Sequence, residues 1–314
     1  MSLLLQYTLI FSSVLLLVAL GGCFAERSGV INIGLEGIMV IGALGGALVM
    51  KFLPIALGAP VMILTTILVS ALFGMVFSLL LAVAAINFKA DQTITGTAMN
   101  MLATAAATVA VKAMNTAASG GSDVSSEIAY TSARDLFIVR FGTFEFNWFM
   151  LVAVIALVIS YVMLYKTRFG LRLRACGEHP QAADSVGINV YKMRYAGVLI
   201  SGILGGLGGI VYITAGVNSW KFENGVAGFG FLALAVMIFG AWHPIKIALA
   251  ALLFGFCRAL GNVYSGFGFL LAMNIPSVVY NMLPYIISLM VLAFTSKKSR
   301  APKAEGIPYD KGSR

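Results

Sequence analysis

The sequence predicts an all-α protein, a polytopic bundle of membrane-spanning helices, on three observations. Of its 314 residues 60% are hydrophobic and 11% charged, whereas a typical soluble domain carries about 25% charged residues. Too few charges exist to coat a wetted surface. The apolar residues also come in long blocks: residues 9–22, 52–88 and 148–165 contain no Asp, Glu, Lys or Arg. About 20 mostly apolar residues in a helix span a bilayer, and the helix is required because hydrocarbon cannot satisfy an open backbone group. Finally, glycine is abundant at 34 residues and occurs inside these blocks, where it lets helix backbones approach closely.

Nine apolar windows follow along the chain: 4–22, 30–50, 58–86, 93–111, 148–165, 195–216, 228–242, 245–263 and 279–295. The pair 228–242 and 245–263 is the weakest, divided only by Trp242-His243-Pro244, where Pro suits a helix start. Eight or nine spans depend on that pair, and the basic residues decide between them. Lys166, Arg168, Arg172, Arg174, Lys192 and Arg194 cluster in one loop, and Lys297, Lys298, Arg300, Lys303, Lys311 and Arg314 in the tail. Short cytoplasmic loops collect Lys and Arg, so both clusters face the cytoplasm and an even number of spans separates them. Four windows lie between, which settles on nine spans and an outside N-terminus. Arg27, Lys89 and Lys246 then fall inside too, giving fifteen of the 21 basic residues there. Lys51, Lys112, Arg134, Arg140 and Lys221 lie outside. The chain thus reads as one transmembrane domain over 1–296, with an external loop at 112–147, a cytoplasmic loop at 166–194 and a basic cytoplasmic tail at 297–314.

This topology accounts for the net charge of +9. A nucleic-acid partner is excluded, because the basic residues flank spans and lack interleaved aromatics. Cys23, Cys176 and Cys257 are far apart and odd in number, and the histidines are His179 and His243; neither a disulfide framework nor a metal site is expected. Leu20-Gly21-Gly22-Cys23 superficially resembles a lipoprotein cleavage site, but no Lys or Arg precedes it as a signal peptide needs; residues 3–22 read as a retained first span.

Three segments could carry function. In the first, Glu36 lies about 9 Å into its span beyond Val30, at about 1.5 Å per residue. An ionisable group at such depth faces a cavity or a partner; a contact that fixes packing and a place on the translocation path are equal readings, with Asn32 as a second polar group. In the second, Pro180 suits the first turn of a helix and Gly187 its end. The result is a cytoplasmic helix of about two turns with Ala182, Ala183 and Val186 on one side, too short to be stable unless something packs on it. Composition alone favours an ordinary basic loop. In the third, Thr97 and Asn100 carry polar groups into a span. Threonine usually bonds back to its own helix, and pore lining is the minority reading. Trp220 reads as an interface anchor and Arg258 as a snorkelling cation near the outer end of its span, too far in depth to pair with Glu36. The spacings Gly42/Gly46, Gly202/Gly206 and Gly205/Gly209 permit tight helix crossings. Gly29-Val30 to Gly34 and Gly225-Val226 to Gly230 share the pattern GVxxxG in oppositely directed segments, as in an inverted repeat, although a glycine-rich chain also produces such echoes by chance.

The run Glu26-Arg27-Ser28-Gly29-Val30-Ile31-Asn32-Ile33-Gly34-Leu35-Glu36-Gly37 closely resembles the signature of bacterial ABC importer permeases of the nucleoside and simple-sugar class. Arg174-Ala175-Cys176-Gly177-Glu178-His179-Pro180-Gln181-Ala182-Ala183-Asp184-Ser185-Val186-Gly187-Ile188-Asn189 resembles their coupling segment. The glycine-rich stretches at 201–209 and 228–235 match less specifically, and residues 301–310 are similar to the nucleoside subgroup. The resemblance covers nearly the whole chain, and on it the family's first helix, ahead of span 4–22, is expected to be absent. It implies a type II importer permease fold built around an inverted repeat, a second, longer permease subunit of different sequence, two cytoplasmic ATPase subunits, and an external lipoprotein or periplasmic protein that delivers substrate. It further implies that Glu178, His179, Pro180, Ala182, Ala183, Asp184 and Gly187 dock into an ATPase, with Asn32, Glu36, Thr97 and Asn100 along the pathway.

The chain contains no GxxxxGK[ST] phosphate loop, as expected if hydrolysis belongs to a partner, and no cofactor is expected. The leading expectation is an ATP-driven nucleoside importer, purine nucleosides foremost; sugar import is the alternative. An ion-coupled secondary transporter would lean on Glu36, and uptake that follows an ion gradient without ATP would identify one. An intramembrane enzyme lacks support, since neither HExxH nor GxSxG occurs.

Overall fold

The computed structural model describes residues 2–142, 144–215, 218–267, 276–295 and 301–311. Its helices are α1 (Ser2–Arg27), α2 (Leu35–Phe52), α3 (Ala59–Ala82, prolonged by a π-turn at Val83–Asn87), α4 (Gln92–Ser119), α5 (Thr131–Arg134), α6 (Trp148–Lys166), α7 (Arg168–Glu178), α8 (Pro180–Ser185), α9 (Val190–Ile213), α10 (Phe229–Phe239), α11 (Pro244–Val263) and α12 (Ser277–Thr295). Among the described residues eight helical segments are long and apolar enough to cross a membrane, Phe222–Phe239 being one of them. The ninth apolar window is α12, 19 residues with Pro284 inside. Lys297, Lys298, Arg300 and Arg314 of the tail lie outside the described residues.

Two departures from the sequence reading concern the loops. The stretch 112–147 begins inside α4, which runs to Ser119 and stops where Gly120 takes φ 63°. Beyond it lie strand β1 (Glu127–Ala129), the short α5 and a hairpin of β2 (Ile138–Phe141) with β3 (Phe144–Asn147). A fourth strand, β4 (Ser219–Lys221), pairs antiparallel with β1, Ile128 opposite Trp220. The basic stretch 166–194 is not irregular either. Thr167 accepts from the Gly170 N–H at 3.2 Å and starts α7, and Asn189 accepts from Lys192 N–H at 3.0 Å to start α9, as N-cap residues do.

α1 and α9 form the core. Both are buried along most of their length, as helices apolar on every side must be. α1 packs on α9, α10 and α11, while α9 packs on α1, α2 and α3. The two run antiparallel. The start of α1 reaches the β2–β3 hairpin, where Gln6 donates to Glu145 at 3.2 Å; the far end of α9 reaches the same side, where Tyr130 donates to the Ile213 carbonyl at 2.6 Å. Thus α10 and α11 stand against α1 as α2 and α3 stand against the oppositely directed α9. The outer faces of α3 and α6 expose Leu64, Leu68, Val158 and Ile159, an apolar covering suited to lipid.

The basic residues divide by end. Lys51 donates to Asn115 at 2.9 Å, and Asn115 donates to the Glu127 carbonyl at 2.9 Å; Lys221 pairs with Glu127 and Arg140 with Glu145. At the opposite end Arg27 lies 3.6 Å from Glu178 and Lys89 lies 3.0 Å from Asp310.

The small-residue spacings act within the chain. α2, α3 and α9 cross where a Cβ on Gly42 would strike the Gly206 backbone, and one on Gly206 would strike the Ser70 carbonyl. Gly206→Leu therefore overpacks a backbone crossing, a change costing about 1–3 kcal/mol or more. The purified variant in detergent is expected to melt clearly below the parent, whereas Val158→Leu on the exposed face of α6 leaves the midpoint unchanged.

Candidate functional site

α1 stops because Gly29 adopts φ 96°. Val30 N–H donates to the Ala25 carbonyl and Gly29 N–H to that of Glu26, the paired bonds of a Schellman end. Residues 28–34 then run without helix before α2. Non-helical backbone is tolerated at membrane depth only where protein satisfies it, and here α4 and α9 do so. Ile31 N–H donates to Gln92 at 2.7 Å, and Asn100 donates to the Ile33 carbonyl at 3.0 Å while accepting from Gly37 N–H at 2.8 Å. Asn32 donates to Ser201 of α9 at 2.8 Å. Asn32 is fully buried, so this side chain anchors the break. Thr97 is exposed, and its hydroxyl donates to the Thr93 carbonyl at 2.8 Å, the back-bond expected of a helical threonine.

Glu36 stands in the first turn of α2 and reaches the start of α10. One carboxylate oxygen accepts from Gly228 N–H at 2.8 Å and the other from Gly230 N–H at 2.6 Å. Helix N-termini leave unsatisfied N–H groups and a partial positive charge, so a single carboxylate complements two helix starts. A Cβ on Gly230 would collide with the Glu36 backbone, which explains the glycine. From this joint α2 and α10 lead to opposite ends: α2 to Lys51 and Asn115, α10 to Trp242, whose carbonyl accepts from Arg27. The two GVxxxG runs are the entries to these half-helices.

Arg258 does not snorkel. Its guanidinium lies 5.4 Å from the Phe229 ring centre at the first residue of α10. Sequence depth treats Arg258 by its position along α11 alone and gives no sign of the Phe229 ring, which the start of α10 brings beside it. Trp220 is no simple interface anchor: it donates to the Gly225 carbonyl at 3.0 Å and packs edge-on against Tyr212 at 5.4 Å. Among the described residues no cluster of His, Cys, Asp and Glu could hold a metal ion.

At the Arg27 end, α8 begins at Pro180 and is followed by Gly187 at φ 84°, as its sequence predicts. Its faces differ from the expectation. Ala182 and Val186 are exposed, Val186 by 75%, but Ala183 is 4% exposed and Pro180 is buried. Ala183 packs with Cys176, Val190 and Tyr309, because residues 301–311 fold back beneath α8. His179 is exposed and Glu178 half-buried, and Asp184 lines a hollow of about 370 Å³ with Gly187, Asn189, Tyr191 and Lys311. All three cysteines are buried, and burial pushes the Cys176 thiol up to about 11. His243 stacks on Tyr165 at 4.8 Å; desolvation, with Lys246 and Arg27 nearby, lowers its affinity for a proton.

Glu305 lies beside Glu26, and the Trp242 indole donates to Glu26 at 2.5 Å. Burial raises the Glu305 carboxyl above its ordinary range, against the lowering effect of Glu26 and Arg27.

Glu36→Ala removes both charge-assisted bonds at the α10 start, worth about 1–3 kcal/mol. A lower melting midpoint is expected, with Glu36→Gln between it and the parent; an unchanged midpoint removes Glu36 from the joint. For Glu305 the docked carboxyl is raised, so docking is strongest below the free-tail range and fades as pH climbs through the docked value. Hydrogen-exchange protection factors at Ala304 and Gly306 should fall with rising pH, and Glu305→Gln should flatten that profile.

Comparison with known proteins places this architecture. Residues 4–294 match the family model described as branched-chain amino acid transport system, permease component. The guanosine ABC transporter permease protein NupQ of Bacillus subtilis is 44% identical over 321 residues, covering 100% of this chain and 98% of that protein. The nucleoside ABC transporter permease protein NupC of Lactococcus lactis is 40% identical over 310 residues, 96% of this chain and 95% of the relative. A second Bacillus subtilis protein, the guanosine ABC transporter permease protein NupP, is 26% identical over 282 residues, 88% of this chain and 77% of its own. With its whole bundle inside the matched region, the chain belongs to the family of branched-chain amino acid transport system permease components.

Proposed function

We propose that this chain is the membrane subunit of an ATP-driven importer of nucleosides, purine nucleosides foremost. The observation that carries the substrate class is the 44% identity over 100% of the chain to a guanosine permease. Energy comes from outside the chain, whose sequence has no phosphate loop. Two ATPase subunits bind at the Arg27 end, which the positive-inside rule makes cytoplasmic, and the tail lies there with them. The second permease is a different chain: two permeases of one organism, NupQ and NupP, both resemble this one, at 44% and 26% identity. An external binding protein delivers the substrate to the opposite end.

The geometry supports a mechanism. α8 is the docking element, offering Ala182 and Val186 beside the hollow at Asp184. Motion of α8 reaches the half-helices, whose starts are joined through one carboxylate, so each half can tilt while the joint holds. The ATPase cycle biases outward-open against inward-open arrangements, a population shift limited by its differential affinity for the two. Asn32 and Asn100 brace the break, and Glu36 with Arg258 sets the polar character of the passage at its centre.

Val186→Asp places a charge on the exposed face of α8. The variant should reach the membrane at parental levels yet lose ATPase co-purification and guanosine uptake together; retained association overturns α8 as the docking element. Competition of labelled guanosine uptake by unlabelled guanosine but not by ribose or glucose is expected, and the reverse ranking overturns the nucleoside assignment.

A further inference from the structure

Residues 301–311 contain no helix or strand, yet Ala304 and Tyr309 are 6% and 4% exposed. The segment touches nearly every element at its end of the bundle. Ala304 N–H donates to the Gly177 carbonyl at the close of α7 at 2.8 Å, and Gly306 N–H to the Gly29 carbonyl of the break at 3.3 Å. The Ile307 carbonyl accepts from Arg194 of α9 at 2.9 Å. Tyr309 packs under Ala183 of α8 and sets its ring edge-on to Tyr191 at 5.3 Å. Asp310 pairs with Lys89 in the turn between α3 and α4.

Arg194 shows why this segment counts. It is 1% exposed, and its Nε and Nη2 have no hydrogen-bond partner. A buried guanidinium needs acceptors, and the acceptor it has comes from Ile307. Its Nη2 also lies 2.9 Å from where a Cβ on Gly29 would sit, so the guanidinium is wedged between the break and the returning chain. Among the described residues α8 packs on α7 and α9, which meet the break in their turn, Gly177 of α7 beside Gly29 and Ser201 of α9 on Asn32; a link from α8 to the break that passes through neither helix needs another segment. Residues 306–309 make that link within three residues, about 10 Å of extended chain, and Pro308 stiffens it by fixing its own φ.

We propose that residues 301–311 form a tether that carries displacement of α8 to the break at 28–34, with Tyr309 as the positioning residue beneath α8. The proposal rests on α8 being the ATPase docking element. A tether differs from a structural patch in one respect: cutting it separates hydrolysis from transport, instead of abolishing both.

The test uses the complete importer, with its ATPase and second permease subunits, reconstituted in liposomes. ATPase co-purification, ATP hydrolysis and labelled guanosine uptake are measured for Tyr309→Ala, Tyr309→Phe and Val186→Asp. Tyr309→Ala should slow uptake about tenfold or more while association and hydrolysis stay within about twofold of the parent, and Tyr309→Phe should restore uptake. Unchanged uptake in Tyr309→Ala overturns the tether, as does loss of association and hydrolysis in parallel with uptake. If Tyr309→Ala fails to reach the membrane, Tyr309→Leu, which keeps most of the buried volume, is held to the same outcomes. Val186→Asp tests the underlying reading separately: retained association sinks α8 as docking element and the tether with it, whereas lost association beside unaltered Tyr309→Ala uptake sinks the tether alone.

Discussion

A carboxylate held inside a lipid-embedded bundle must find donors, and Glu36 finds them at the start of a second helix. That interaction organises its surroundings. It requires α2 to begin partway through the bundle, which requires α1 to stop at Gly29 and residues 28–34 to find acceptors and donors on α4 and α9. It likewise requires α10 to begin partway from the other direction, with Gly228 and Gly230 leaving room for the approach. Each helix start supplies partial positive charge to the same group. An uncompensated charge at such depth would be expensive, so the two half-helices hold each other in place by complementing it.

The inverted arrangement gives this joint its setting. α1 and α9 cross the core in opposite directions, and each is followed by a half-helix packed against the other's repeat. Glycines at the α2–α3–α9 crossing bring backbones into contact at positions where any side chain would collide. Rigid surfaces on both sides therefore meet along narrow seams, and motion between them proceeds as tilting of whole units in preference to local yielding.

Much of this was legible in the sequence and some was not, for physical reasons. Apolar length located α1–α4, α6 and α9–α12, because burial in hydrocarbon leaves no freedom in composition, whereas the Arg-rich α7 read as a loop. Pro180 and Gly187 marked the ends of α8 through their backbone constraints alone. The orientation of α8 was hidden: Ala183 looks like Ala182 until Tyr309, more than a hundred residues later, covers one of them. Arg258 was misread for a related cause, since depth along its own helix does not reveal the Phe229 ring that another helix sets beside it. Asn100 and Asn32 were singled out for polarity, but polarity does not say whether a side chain faces a path or clamps a backbone. The contacts of Tyr309 and Arg194 gave no signal of their own, because their partners come from distant parts of the chain.

The three cysteines lend themselves to a practical use. Each is shielded, and the one nearest α8 holds its proton tightly enough to remain a thiol at neutral pH. Thiolate is the species that reacts with maleimides and alkylating reagents. The native chain can thus serve as its own silent background, on which a single introduced surface thiol would report accessibility from either side of the bilayer without first stripping the natural ones.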